Sequence, residues 1–360
     1  MKKLIIFSLI FFCSCNKSDD SSGSLNEIIS GKNLYVAGYI NDENKNSLAC
    51  YWKNGRRVDL GEGELTDITV SEGKVYSCGY SYGGGASYWI DDTPYDIEGN
   101  DAEAYSIDVY NGDVYIAGRD NGACYWKNGA KIKLSGGDSS AYGIAVRENG
   151  DIFAAGYYVN NHHFIIPAVW KNGKRINLSV PKHGDGEVKA VKIYDGAPYY
   201  FGMTMKPNNI SGYVPKASYW RGGKRTDLTN GGGFNQSIYG GEGNGGFISE
   251  GSVYVAGMID HIANGGDNGD IIEGSGGTYA HYWINGEKFD LKGGQWNNMW
   301  VSNAYDIVVS DDIIIVSGDV ATNMQTQVPA VWVNKDLTLL EGDNTHGIAR
   351  AVFIEEFKKN

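Results

Sequence analysis

The hexapeptide CYWKNG, Cys50 to Gly55, recurs letter for letter at Cys124 to Gly129. Weaker copies are SYWIDD (87–92), AVWKNG (168–173), SYWRGG (218–223), HYWING (281–286) and AVWVNK (330–335), which makes seven in all. They set Trp at 52, 89, 126, 170, 220, 283 and 332, and only Trp296 and Trp300 fall outside the pattern. Upstream of each copy stands a second signature: LYVAG (34–38), VYSCG (75–79), VYIAG (114–118), IFAAG (152–156), YYFG (199–202), VYVAG (253–257) and IIVSG (314–318). The shortest Trp-to-Trp spacing is 37 residues.

The third copy shows the unit without insertions: AYSIDVYNG, DVYIAG, ACYWKNG, AKIKLSG. Four short strands joined by tight turns in about 40 residues read as one blade of a β-propeller. Asn-Gly at 54–55, 128–129, 172–173 and 285–286 is what a type I′ hairpin asks for, since both central residues need positive φ. Neighbours in a strand point to opposite faces, yet Tyr125 and Trp126 are both large and apolar. A strand greasy on both faces needs a packed neighbour on each side, which radially arranged blades supply. The last segment, Ile348 to Ile354, reads as a first strand with no blade after it, while the first repeat has only Ile28 and Ile29 at that place. The expected fold is therefore all-β, a seven-bladed β-propeller of four-stranded antiparallel blades closed by the C-terminal strand, spanning residues 27–357.

The unit Ala-x-Gly-Ile…Asp-x-x-Ala-Gly…Ala-x-Trp-x-Asn-Gly…Leu, as in AYGIAV, DIFAAG and AVWKNGKRINL, resembles the HAF extracellular repeat and related propeller repeats of lipoproteins. That resemblance covers residues 27–357 and implies a fold; it brings no catalytic residues. The first residues, MKKLIIFSLIFFCSC, put Lys2 and Lys3 before an apolar run from Leu4 to Phe12 that is too short to span a bilayer and suits a secretory leader. Ser14-Cys15 resembles a lipobox, and the acidic stretch from Asn16 to Asp20 is similar to the segment behind the lipidated Cys in surface lipoproteins of Bacteroidetes type. This implies a signal peptide at 1–14, lipidation of Cys15, a flexible tether at 15–26, and a location in the cell envelope on the outer membrane, facing outward. The membrane would be met through the lipid alone.

The 360-residue chain carries a formal charge of −12, and loss of Lys2 and Lys3 with the leader leaves −14, which excludes a nucleic-acid partner because phosphate binding needs a basic surface. Cys50, Cys78 and Cys124 sit at repeat positions filled elsewhere by other residues, and read as buried small side chains. The links between first and second strands and between third and fourth are tight throughout. The links between second and third strands lengthen to eleven residues in the fourth repeat (157–167), fourteen in the fifth and twenty-two in the sixth (258–279). In a blade these all emerge on one face, over blades four to seven, where binding is expected.

Candidate ligand residues on that face are Trp296, Trp300, His162, His163, Phe164, His261 and Asn297; aromatic rings beside amides suit sugars, although the two Trp would equally plug the channel mouth. Asp267, Asp270 and Glu273 in GGDNGDIIEG are weak metal candidates, lacking the EF-hand spacing. Glu62, Asp101, Asp138, Asp185, Glu242 and Asp343 follow Gly at or near the blade junctions and would ring the channel mouth, drawing Ca²⁺ or a cationic partner, unless they are ordinary turn chemistry. No nucleophile elbow, zinc motif or dinucleotide fingerprint occurs. No cofactor is implied beyond that calcium reading. The expectation is a monomeric, non-catalytic module binding a glycan or an envelope protein. Two alternatives stand: a glycan hydrolase or lyase with paired carboxylates at the channel mouth, and a structural partner in an envelope complex.

Overall fold

The computed structural model describes residues 25, 29, 31–81, 85–181, 185–208, 212–229, 238–261, 277–296, 299–323, 326–342 and 345–356; at 207–208, 212–213, 238–239, 261, 294–296, 299–300 and 323 only the backbone is described. The chain is all-β and built from repeated antiparallel sheets of the β-propeller kind. Among the described residues no helix is long and apolar enough to cross a membrane.

The third repeat forms the four-stranded sheet Glu103–Tyr110, Asp113–Arg119, Ala123–Lys127, Ala130–Lys133, each strand pairing with the next. The fourth and fifth repeats form two more such sheets. The first two repeats depart from the expected separate blades, because the strand Arg56–Ser71 serves both. Its first half pairs with Ser47–Lys53 and its second half with Lys74–Ser81, giving a seven-stranded sheet. Gly61 and Gly63, at φ +112° and +142°, turn the backbone from one sheet into the next without a break in the strand. The sixth and seventh repeats join through a short parallel contact, Gly277 with Trp300 and Thr278 with Val301. The C-terminal strand Gly347–Glu356 lies antiparallel to Lys32–Asn41, as the unpaired end of the sequence foretold.

Neighbouring repeats touch through their first strands. Glu103–Tyr110 packs on Arg56–Ser71 and on Ser139–Val146; Gly186–Tyr194 packs on Ser139–Val146 and on Ile238–Ser249; Met299–Ser310 packs on Ile238–Ser249 and on Gly347–Glu356, which in turn meets Arg56–Ser71. The core lies between the sheets. One apolar cluster joins Tyr76, Cys78 and Tyr88 of the second repeat to Ile107, Ile116 and Trp126 of the third, and another joins Tyr115 and Tyr125 to Ile144 and Trp170. Six signature Trp are fully buried and Trp89 nearly so. Four of them also hydrogen-bond backward: Nε1 of Trp52, Trp126 and Trp220 donates at 2.7 Å to the carbonyls of Glu341, Glu98 and Ser179, and that of Trp332 at 2.5 Å to the Lys292 carbonyl, each in the chain that leaves the preceding repeat. The signature indole thus fills the gap between sheets and pins them together.

The Asn-Gly turns take the expected left-handed geometry, with φ +52° and +82° at Asn54-Gly55 and +51° and +82° at Asn128-Gly129. Asparagine adds a second contribution. Its Oδ1 accepts from a second-strand backbone N–H, Leu34 for Asn54, Val114 for Asn128, Ile152 for Asn172 and Val253 for Asn285. The three cysteines are buried, and burial pushes the Cys124 thiol up to about 12, so they are protonated packing residues.

Two of the long links turn out to be extended hairpins. In the fourth repeat Ile152–Val159 and Ile165–Lys171 stay paired out to Val159 with Ile165, and in the fifth the ladder runs to Asn208 with Gly212. Most of the residues counted as loop continue the strands; Tyr157 to Val159 and Thr204 keep β-forming side chains past the sheet edge.

Candidate functional site

The site begins with a defect repeated in the first strand of every unit described. In each, the pairing register with the second strand skips a residue at one shared place, and Ile238–Ser249 skips Tyr239 as well. The residues skipped at the shared place are Arg350, Thr66, Tyr105, Tyr142, Lys189, Asn244 and Tyr305. A β-bulge leaves its extra residue out of the ladder and re-aims its side chain. Opposite each bulge stands the Gly that ends the second signature. A Cβ on Gly38, Gly79, Gly118, Gly156, Gly202, Gly257 or Gly318 would lie 1.9 to 2.1 Å from a first-strand carbonyl oxygen. The signature Gly is there because two backbones nearly touch.

All seven bulged residues line one cavity of about 370 Å³. Its wall is uneven. Tyr105 and Tyr142 meet edge to face at 5.1 Å, and Tyr142 also contacts Tyr157 at 5.7 Å. Lys189 Nζ sits 4.8 Å from the Tyr142 ring centre and is ion-paired with Glu187. The Tyr105 hydroxyl donates to Glu103, and the Tyr305 hydroxyl to Asp319. Arg350 Nη2 meets Glu64 Oε2 at 3.1 Å, and its guanidinium lies 5.6 Å from the Tyr39 ring centre. Two bulged residues also bond to the first strand of a neighbouring repeat: Asn244 donates to the Ala304 carbonyl and Thr66 to that of Ala104, both at 3.0 Å.

Further along the first strands, Asp67, Ser106 and Asp306, one residue past a bulge, and Asp108 and Lys192, three past, join the lining. The carboxylates fasten neighbouring repeats. Asp67 Oδ2 accepts from Ser106 Oγ at 2.7 Å and the Ile107 N–H at 2.9 Å, while its Oδ1 accepts from the Ile68 N–H at 2.8 Å. Asp108 accepts from the N–H groups of Val109 at 2.8 Å and Val146 at 2.7 Å. Asp306 accepts from the Val352 N–H at 3.4 Å. Burial pushes Asp108 and Asp306 up to about 6, with the Lys192 charge and backbone N–H groups pulling the other way. Burial depresses Lys192, but Asp306, Asp67 and Asp108 outweigh it and hold the ammonium above its ordinary value. For Asp67 and Asp108 both oxygens accept from donors in the wall.

The residues singled out from the sequence lie elsewhere. His162, His163 and Phe164 form an exposed turn in which Asn160 Oδ1 accepts from the N–H groups of His162 and Phe164, with His163 at φ +62°. Trp296 and Trp300 belong to a hairpin, not to an open loop: Trp296 pairs with Met299 and Gln295 with Trp300. His261 ends the strand Ser252–His261, opposite Ile238 and Gly277. Cys15, Asn297, Asp267, Asp270, Glu273 and Asp343 fall outside the described residues.

Of the remaining carboxylates, Glu62 and Asp101 are exposed, and Asp138 is exposed with the Tyr157 hydroxyl at 3.3 Å. Asp185 Oδ1 accepts from the Ile165 N–H at 2.8 Å. Glu242, opposite Met258, is held above the ordinary carboxylate range by burial. None of these five lines the cavity. In register with Glu242, each just before the residue that precedes a bulge, stand Glu64, Glu103 and Glu187. Glu62, Asp101 and Asp185, reached by counting from the Gly-acid turns, stand two residues before Glu64, Glu103 and Glu187, and these three do not line the cavity either. Among the described residues no group of three or more His, Cys, Asp or Glu is placed to hold a metal ion.

No family model matches the chain, and no curated protein matches it. Solved structures similar to it include the β-propeller domain of the Trilobed protease from Pyrococcus furiosus, described as having an open velcro topology, at 13% identity over 86% of this chain and 91% of that one, TM-score 0.48. The WD40 β-propeller domain of Doa1 is similar at 13% identity over 80% and 86%, TM-score 0.42, and the computationally designed Ika8 protein at 15% over 83% and 92%, TM-score 0.41. At these values nothing about chemistry follows from them.

Proposed function

We propose that this chain is a seven-bladed β-propeller lipoprotein of the cell envelope that works as a non-catalytic binding module, holding a glycan or a protein at the long-link end of the blades. The cyclic packing of first strands and the pairing of Gly347–Glu356 with Lys32–Asn41 support seven blades closed by the C-terminal strand. Residues 1–14 are the leader, Cys15 is the lipidated residue, and the tether runs to residue 26. Leu25 packs beside the Asn54-Gly55 turn, a Cβ on Gly55 lying 3.5 Å from its Cδ2. The tether therefore leaves at the tight-turn end, which favours an arrangement with the other end facing away from the outer membrane.

The observation that carries the reading is the cavity and its wall. At the bulge position the repeats hold Arg, Thr, Tyr, Tyr, Lys, Asn and Tyr, while the residue before it is Ala, Leu, Ala, Ala, Val, Gly and Ala. A position kept apolar by packing beside one filled with polar side chains is where a scaffold carries its recognition. Affinity electrophoresis through a panel of soluble polysaccharides tests this. The chain is expected to be retarded by at least one polysaccharide, less so as Trp296→Ala, with no new reducing ends. Release of reducing ends would replace the module by a glycan hydrolase, and free migration through the whole panel would refute glycan binding.

A further inference from the structure

We infer that the axial cavity is a subsite for a neutral sugar, a mono- or disaccharide or the terminus of a longer glycan, stacked on Tyr142 and Tyr105 and hydrogen-bonded by Arg350 and Tyr305. This deepens the binding-module reading and rests on it. Charge decides the ligand class. Each cation in the wall already has its carboxylate: Arg350 has Glu64 at 3.1 Å, Lys189 has Glu187, and Lys192 lies in the field of Asp306, Asp67 and Asp108. An anionic ligand would have to separate one of these partly buried pairs and leave a carboxylate unmatched, which is costly. A cationic ligand would have to displace Lys189 from both the Tyr142 face and Glu187. A neutral polyol leaves the Arg350–Glu64 and Lys189–Glu187 pairs intact, shifts Lys189 at most from the Tyr142 face, and exchanges hydrogen bonds with water one for one.

Three features fit a sugar ring. Tyr105 and Tyr142, edge to face at 5.1 Å, offer aromatic surface whose negative face attracts the polarised C–H bonds of a pyranose. The Arg350 side chain lines the cavity and is 34% exposed, with Glu64 bonded to Nη2, so its guanidinium has N–H groups to offer a hydroxyl or ring oxygen. The cavity of about 370 Å³ corresponds to about a dozen waters at ~30 Å³ each, which is room for a mono- or disaccharide and too little for a folded partner.

The test is saturation-transfer NMR and titration calorimetry on the full chain in detergent. The probes are glucose, galactose, xylose, maltose and cellobiose, with glucuronate and glucosamine as charged counterparts. At least one neutral sugar is expected to bind, Tyr142→Leu to weaken it tenfold or more, and Tyr142→Phe, which keeps the ring, to restore most of the loss. Melting curves for each variant separate this from misfolding. Binding of glucuronate or glucosamine in preference to every neutral sugar overturns the ligand class. Binding that survives Tyr142→Leu but falls with Trp296→Ala moves the ligand to the rim and overturns the subsite alone, as does retention by a polysaccharide with no small sugar bound. Free migration in every polysaccharide is instead the failure of the parent reading.

Discussion

Replacing Gly118 by Ala asks one methyl group to occupy space already filled. Its Cβ would stand 2.0 Å from the Glu103 carbonyl oxygen and 2.6 Å from Trp126 Cζ3, where ordinary contact begins near 3.4 Å. The carbonyl belongs to the strand that carries the Tyr105 bulge, and the indole is the fully buried one between the second and third repeats. Neither is a side-chain tip that can swing aside. Inserting a methylene into a packed core costs about 1–3 kcal/mol when neighbours can adjust; with backbone on one side and Trp on the other, the loss is expected at or above ~3 kcal/mol. With an unfolding entropy of ~2 cal/mol/K per residue over roughly 330 residues, that is a fall of about 4 °C in melting temperature. Gly112→Ala is the control. Gly112 has φ +79° and open space around its Cβ position, so only the left-handed backbone opposes the change, at about 1 kcal/mol. Differential scanning calorimetry compares the two. A Gly118→Ala melt no lower than that of Gly112→Ala would show that the close approach is not what the signature Gly serves, and the account of the bulge would fall with it.

The pH profile should be unusual. Asp108, Asp306 and Asp319, each pushed up to about 6 chiefly by burial from 3.8, hold protons in the folded chain that the unfolded chain has released. Stability is therefore expected to rise as pH falls from 7 toward 5, by about 1 kcal/mol for each carboxyl, since a tenfold change in proton affinity is worth ~1.4 kcal/mol. Below pH 4 it should fall again, because Asp151, lowered to about 2 by Lys171, Asn172 and Asn149, gives up the charge that holds those contacts as it takes a proton. A melting temperature that drops steadily from pH 7 to 5 would refute the burial assigned to the three raised carboxyls. Deleting residues 347–360 removes the strand that covers Val36 and Ile40 of the first repeat and whose Val352 N–H donates to Asp306. The cooperative melt should be lost and return when a peptide of that sequence is added; a truncated chain melting within 2 °C of the parent would refute closure by the C-terminal strand.

Most of the fold was legible because the features that build it are local and repeated. Trp126 needs a space between sheets, Asn128-Gly129 needs a left-handed turn, and each need is written in one short string. The unpaired strand at Ile348 to Ile354 was legible for the same reason: it matched a position that the first repeat lacked. What escaped is where one element runs into another. Nothing in the letters of Arg56 to Ser71 says that one strand serves two sheets, since Gly61 and Gly63 read equally well as a turn and as a bend inside a ladder.

The site escaped for a different reason. Long links and exposed aromatics drew attention to His162 and Phe164, whose turn is held by Asn160 alone and faces solvent. The cavity residues are scattered over seven repeats and are of four types besides Tyr, so no motif search gathers Arg350, Tyr142 and Lys189. What gathers them is a constraint on their neighbours. Because each second strand carries a Gly pressed against a first-strand carbonyl, the first strand is forced out of register at one fixed place, and the residue at that place is ejected from the core. It is thereby freed from packing selection in every repeat at once, all on the same axis. The variation at this position and the invariance of the Gly opposite are two consequences of one close backbone approach, so a chemically varied column beside a constant Gly is the signal by which such a lumen can be found in sequence.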